Sequence, residues 1–280
     1  MSSYEDNYKL DIYKFRFNVK KNIDVFSNCN INQRDNFIFN KKDLLKKLFK
    51  ILGGIILGIG TSILVFIAIF YVVFNQKLPA GKIGAEADNL AIQMRNSLNY
   101  EAYLNTNYLA WTFNKKRQYE WFKTEGRCIV IWKNIKVHLD LKKTSKSKVF
   151  MEGNAYSGEK KQEYIKKALA YFNNDSFWLV APFKVFDKGV ERRLIELKND
   201  EKALLVTYTS GGTTPGDSYL WRFDEKGSPK SYQMWVNLIP VKGLEASWEN
   251  WVTTKSKVKL ATLHEILFYK IQLTELNTSE

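Results

Sequence analysis

The sequence predicts an α+β protein: a mainly antiparallel β domain with two helices, standing behind one transmembrane helix. Three observations carry this. Residues 51–74 hold no charge, and only Thr61, Ser62 and Tyr71 interrupt an apolar and glycine run. Ile135, Val137, Leu139 and Leu141 alternate with Lys136, His138, Asp140 and Lys142, the period of a strand with one wet face. Helical spacing returns clearly at only two places beyond the apolar run.

At about 1.5 Å rise per residue, that run is long enough to cross a hydrocarbon core of about 30 Å. A cleaved signal peptide would have a shorter apolar region and a small-residue cleavage site; Leu78, Pro79, Ala80 and Gly81 make a poor one. Lys41, Lys42, Lys46, Lys47 and Lys50 precede the run, and only Lys77 and Lys82 follow it closely. Lysine retained on the cytoplasmic side places the N-terminus in and the C-terminus out. The expected organisation is a cytoplasmic basic arm (1–50), a transmembrane helix (51–74), a linker (75–84) and a periplasmic domain (85–280), held in the inner membrane. Gly54 and Gly58 stand at the small-xxx-small spacing through which two membrane helices approach. Glycine is also common in such helices without any partner, so a homodimer is allowed rather than required.

The net charge of +14 is shared between the two sides. The arm has eleven Lys or Arg against six Asp or Glu, and the part after residue 74 has 32 against 23. The outward side of a membrane argues against nucleic acid and for anionic head groups or acidic envelope polymers, beside the simpler reading of a lysine-rich solvated surface. Cys29 and Cys128 fall on opposite sides of the span and begin no metal spacing. Cys128, in an apolar run, is expected as a buried free thiol.

After the linker, Ala87, Leu90, Ala91, Met94 and Leu98 give an amphipathic helix with Glu86 and Asp88 in its first turn, ending near Asn99. Strands follow at 108–113, 118–122, 127–132, 135–141 and 148–151. A second helix over 159–172 shows the stripe Ile165, Ala168, Leu169 and Phe172, with Ser157 as its N-cap. Strands resume at 176–180, 191–197, 203–209, 218–223, 231–238 and 244–251. Gly227 suits the left-handed position of the turn after Asp224. Residues 259–273 carry both periods and are read as strands.

Little here nominates catalysis. His138 lies on a polar strand face, and His264 lies in the ambiguous final segment. The glycine-rich stretch at 210–217 lacks the Lys-Ser/Thr of a phosphate loop and reads as a long hairpin connection. No nucleophile with its base, no metal set and no cofactor motif is found, so no enzyme is expected. All eight tryptophans follow residue 100. They suit either an aromatic-lined hollow or a packed sheet with cross-strand aromatic pairs.

The order of elements resembles the envelope lipoprotein-carrier superfamily, the LolA/LolB-like outer-membrane lipoprotein-sorting proteins. The matching stretches are Lys115, Lys116, Arg117, Gln118, Tyr119, Glu120 and Trp121; Leu179, Val180, Ala181, Pro182 and Phe183; and the hairpin from Tyr219 to Lys230 with its Asp-x-x-Gly-x-Pro turn. The resemblance implies a curved half-barrel covered by helices, with an apolar hollow for lipid or lipoprotein acyl chains walled by Trp121, Trp132, Trp221 and Trp235. It also matches Arg117 to the arginine that controls ligand release, where the bare sequence allows a solvated strand charge. The carriers are soluble or lipid-tethered, whereas this chain is held by a helix and cannot shuttle. Two functions follow: an acyl-chain-binding domain, or an envelope protein- or polymer-binding module with a filled core. An apolar hollow of several hundred Å³, the size usual for ligand sites, separates the first from the second.

Overall fold

A computed structural model describes residues 44–211 and 214–280, and the chain divides into two units, Met1–Phe70 and Tyr71–Glu280. The expected arm up to residue 43, with Cys29, lies outside the described residues. Helix α1 (Leu44–Phe74) is long and apolar enough to cross a membrane. It begins before the uncharged run because lysine is a good helix former. Its hydroxyls are satisfied without water: Thr61 Oγ1 donates to the Leu57 carbonyl and Ser62 Oγ to that of Gly58, both at 2.9 Å. This is what a helix in lipid requires.

After the linker, the second unit continues with α2 (Ala85–Ser97) and a short α3 (Tyr100–Asn105). Asn99 adopts the left-handed conformation and its side chain accepts from the Ala102 N–H. The residue expected to end one helix therefore also caps the next. Six strands follow: β1 (Tyr108–Phe113), β2 (Arg117–Phe122), β3 (Arg127–Trp132), β4 (Ile135–Asp140), β5 (Lys148–Met151) and β6 (Asn154–Tyr156). Then comes α4 (Lys161–Val180). Its N-cap is Lys160 with no side-chain cap, so the expected Ser157 cap is not used. The strand expected at 176–180 is instead the last part of α4, where Trp178, Leu179 and Val180 are buried on the helix. Aromatic residues there satisfy a helix face as well as a strand, and tertiary burial decides.

The remaining strands are β7 (Val190–Glu196), β8 (Lys202–Tyr208), β9 (Ser218–Phe223), β10 (Pro229–Trp235), β11 (Leu244–Ser247), β12 (Glu249–Thr253), β13 (Lys259–Ile266) and β14 (Tyr269–Ser279). Two antiparallel sheets result, ordered β12-β13-β14-β1-β2-β3-β4-β5-β6 and β11-β10-β9-β8-β7. One bent segment joins them. Ser247 pairs with Ser231 of β10, and Glu249 pairs with Leu263 of β13. Trp248, fully buried, fills the corner between them. Ser247 also reaches β13, its carbonyl 2.9 Å from His264 Nδ1 and its hydroxyl accepting the Glu265 N–H. The result is an open, curved, antiparallel surface with no closed barrel among the described residues.

The linker straps the five-stranded sheet. Lys82 exchanges two backbone hydrogen bonds with Leu194 of β7, covering part of an edge that would otherwise invite pairing. Gly81 permits the approach: a Cβ there would lie 2.5 Å from Ile195 Cδ1 and 2.9 Å from the Leu194 carbonyl oxygen. Gly81→Val is expected to cost about 1–3 kcal/mol through overpacking, measured by urea unfolding of the detergent-solubilised chain. An unchanged midpoint would mean that the linker does not lie against β7.

Candidate functional site: the concave face and its helix

Strand register places one row of side chains across the nine-stranded sheet: Trp111, Tyr119, Val130, Val137, Val149 and Tyr156. Flanking rows on the same face carry Leu109, Trp121, Cys128 and Leu139, and Phe113, Arg117, Trp132, Ile135 and Met151. Period-2 alternation puts all of these on one side, and α4 lies against that side. Phe172 meets Trp121 edge-on at 5.3 Å, and Tyr171 meets Trp132 at 5.6 Å. Farther along α4, Phe177 packs on Tyr219 at 4.8 Å and Trp178 on Tyr232 at 5.5 Å. The helix therefore fills the trough that the curved sheet forms.

One polar group fixes its position. Asp175 is 0% exposed, and its carboxylate accepts from Arg117 Nε at 2.5 Å, Arg117 Nη2 at 3.0 Å, Tyr119 Oη at 2.5 Å and Asn174 Nδ2 at 2.9 Å. The Arg117 guanidinium also lies over the rings of Phe113 and Tyr171 at 4.8 and 4.6 Å. Burial and then the Asp175 charge push the Tyr119 hydroxyl pKa up, so it stays a donor. Arg117 is thus no solvated strand charge; it ties β2 to α4.

The tryptophans expected as wall residues separate. Trp121 and Trp132 face α4. Trp221 is 0% exposed, packed against Tyr232 at 4.9 Å and Trp248 at 5.0 Å. Trp235 does not join them. It lies one residue out of phase, in a cluster with Ile195, Ala203, Leu205 and Leu220, and its Nε1 donates to the Gln76 carbonyl at 2.9 Å. This is the face under the linker, a placement set by the β10 pairing of Trp235 with Ser218.

His264 is buried beside Trp248, at 4.5 Å between ring centroids. Ser247 offers a carbonyl, which can only accept, so Nδ1 carries the proton and Nε2 is a bare lone pair. Burial depresses the His264 pKa to about 4, against a smaller opposing pull from the Ser247 and Trp178 carbonyls. Nε2 makes no hydrogen bond within the protein, nor do Trp111 Nε1, Trp221 Nε1, Tyr232 Oη and Trp248 Nε1. His138, by contrast, stands beside Phe150 on the outer face of β4, and Cys128 is a buried free thiol.

The opposite face of the nine-stranded sheet carries an open cleft of about 500 Å³, lined by Asn107, Tyr108, Phe122, Thr124, Glu125, Ser279 and Glu280. Tyr108 and Phe122 are register partners with rings 5.1 Å apart. Arg127 lies over Phe122 at 3.5 Å and pairs with Glu125. Nearby Lys123 donates to the Tyr103 carbonyl at the end of α3, and burial lowers its pKa to about 8. The cleft was not anticipated from sequence; Tyr108 and Phe122 read there only as strand residues. Among the described residues no group of three His, Cys, Asp or Glu could hold a metal ion.

No family model matches the chain, and no curated protein matches it. Among solved structures, a DUF1329 family protein from Desulfovibrio piger is similar, with 10% identity over 69% of this chain and 91% of that one. The TM-score is 0.37, too low to carry an argument.

Two outcomes follow. Asp175→Asn is expected to cost about 3–5 kcal/mol by stranding Arg117, while Arg117→Met with Asp175→Leu recovers most of the loss; denaturant midpoints decide, and additive losses would count against a buried pair. For His264, both states are neutral above about pH 6.5. Between about pH 6.5 and 4 the unfolded chain binds a proton that the folded chain refuses, so stability falls with pH. The loss is about 3 kcal/mol at 1.36 kcal/mol per unit, and it levels off below about pH 4. His264→Gln should flatten that part of the stability curve, and an unchanged slope would refute the assignment.

Proposed function

We propose that this protein is a non-catalytic, membrane-anchored binding module of the cell envelope. Helix α1 holds the β domain outside the cytoplasm, the lysine asymmetry around it setting the orientation. The observation that carries this reading is the occupied concave face: α4 lies in the trough, with Phe172 against the stacked pair Trp111 and Tyr119 and Trp178 against the buried group of Tyr232, Trp221 and Trp248. A core packed in this way leaves the outer surface for recognition. There the Tyr108 and Phe122 cleft combines two rings with Asn107, Thr124 and Glu125, a surface suited to a protein segment or a polar envelope polymer.

A second reading, acyl-chain binding in the LolA/LolB-like manner, is favoured by one observation. Apart from the Asp175 cluster, α4 meets the trough largely with apolar rings, so an acyl chain could engage the same surface if the helix swung away. Each buried methylene contributes about 0.8 kcal/mol, which would have to offset the loss of those ring contacts.

The two are separated by crosslinking the full chain in membranes. The module reading expects a photoreactive residue at position 108 to give a discrete adduct that Phe122→Glu abolishes, and photoactivatable palmitate to leave β2 and β3 unlabelled. Palmitate labelling of β2 and β3 without an adduct at 108 would replace it with the acyl-chain reading.

A further inference from the structure

The chain leaves α1 at Phe74, and the next two residues are already bonded to the β domain. Asn75 Oδ1 accepts the Lys242 N–H at 2.9 Å, and the Gln76 N–H donates to the Lys242 carbonyl at 2.8 Å. The loop between β10 and β11 is thus held within two residues of the membrane helix. Its Leu238 is 77% exposed, while Lys242 Nζ pins the loop through the carbonyls of Val236 at 2.5 Å and Ile239 at 3.1 Å.

A second apolar tip reaches the same end. Pairing of Glu249 with Leu263 and Trp251 with Ala261 sets the register of β13. Ser247 continues it, bonding to His264 and Glu265. Extended by two residues, this register brings the turn between β13 and β14 toward the start of β11, the strand that follows Lys242 and Gly243 in the chain. This turn holds Leu267, Phe268 and Tyr269, which are 45%, 96% and 57% exposed. Leu267 has φ 52°, at a tight-turn position where glycine is the usual residue. The sequence thus keeps apolar bulk at the tip against the local backbone preference. Tyr269 Oη accepts from Asn114 Nδ2 at 2.9 Å, bringing the β1–β2 turn with exposed Lys115 and Lys116 alongside.

We propose that the β domain docks on the bilayer that holds α1, inserting Leu238 and the Leu267, Phe268 and Tyr269 tip at the head-group boundary with Lys115 and Lys116 on anionic lipid. Exposed apolar tips with a lysine pair beside one of them match the chemistry of that boundary, and tyrosine favours it. The two-residue tether brings the surface there without any long linker. The proposal rests on the reading of α1 as a membrane span.

The test uses the full chain with Cys29→Ser, the buried Cys128 left in place, in nanodiscs of phosphatidylcholine and phosphatidylglycerol, with one added exposed cysteine per variant carrying a bimane and quenched by doxyl lipids. Positions 238 and 268 should be quenched severalfold more than position 226, in the turn at the far end of β9 and β10. Lys115→Glu with Lys116→Glu should reduce that quenching in anionic discs and leave neutral discs unchanged. A probe at position 63 reports the span itself. Quenching at 63 with none at 238 and 268 overturns the docking proposal alone; absence of quenching at 63 overturns the span and the proposal with it.

Discussion

A carboxylate that no water reaches governs this fold. Asp175 sits in the C-terminal half of α4, fully buried, and remains tolerable only because Arg117, Tyr119 and Asn174 supply four donors to its two oxygens. An isolated charge there would cost several kcal/mol, so α4 is confined to the position and rotation that present Asp175 to β2. Apolar packing alone would let an aromatic helix slide along an aromatic trough. The bidentate pair selects one register, and the contacts of Phe172, Tyr171, Phe177 and Trp178 follow from it.

From that placement comes the division of labour between faces. The concave side is consumed internally, by α4 and by the cluster of Trp221, Tyr232, Trp248 and His264 at the corner where β11 bends into β12. The outer side of the five-stranded sheet is strapped by the linker, with Trp235 bonded to Gln76. The turns and the cleft of Tyr108 and Phe122 stay on the surface.

Much of this was legible in the residues. The alternation at 135–141 and the runs at 108–113, 127–132, 148–151 and 218–223 mark strands because each has one wet face or a bounding turn. The Asp224 turn appears as read, with the Gly227 N–H donating to the Asp224 carbonyl and Gly227 at φ 75°. The end of α4 was not legible: Ser176 to Val180 carries the composition of a buried strand, and only contact with the sheet makes it helix. The role of Arg117 was hidden for a related reason, since its partner lies on α4, 58 residues away. The side that Trp235 faces is not legible in the residues, because it depends on strand register. Asn99 could have signalled α3, being a good N-cap followed by Glu101 in the first turn.

The central claim is that α4 is an integral occupant of the concave face and not a cover that comes and goes. Amide hydrogen exchange on the membrane-reconstituted chain tests it most directly. The account predicts that amides of α4 from Ile165 to Val180 exchange as slowly as those of β2, β3 and β4, because opening the helix requires exposing the pair between Arg117 and Asp175. Fast exchange across that part of α4, with the strands still protected, would contradict it and describe a sheet whose trough is open in solution.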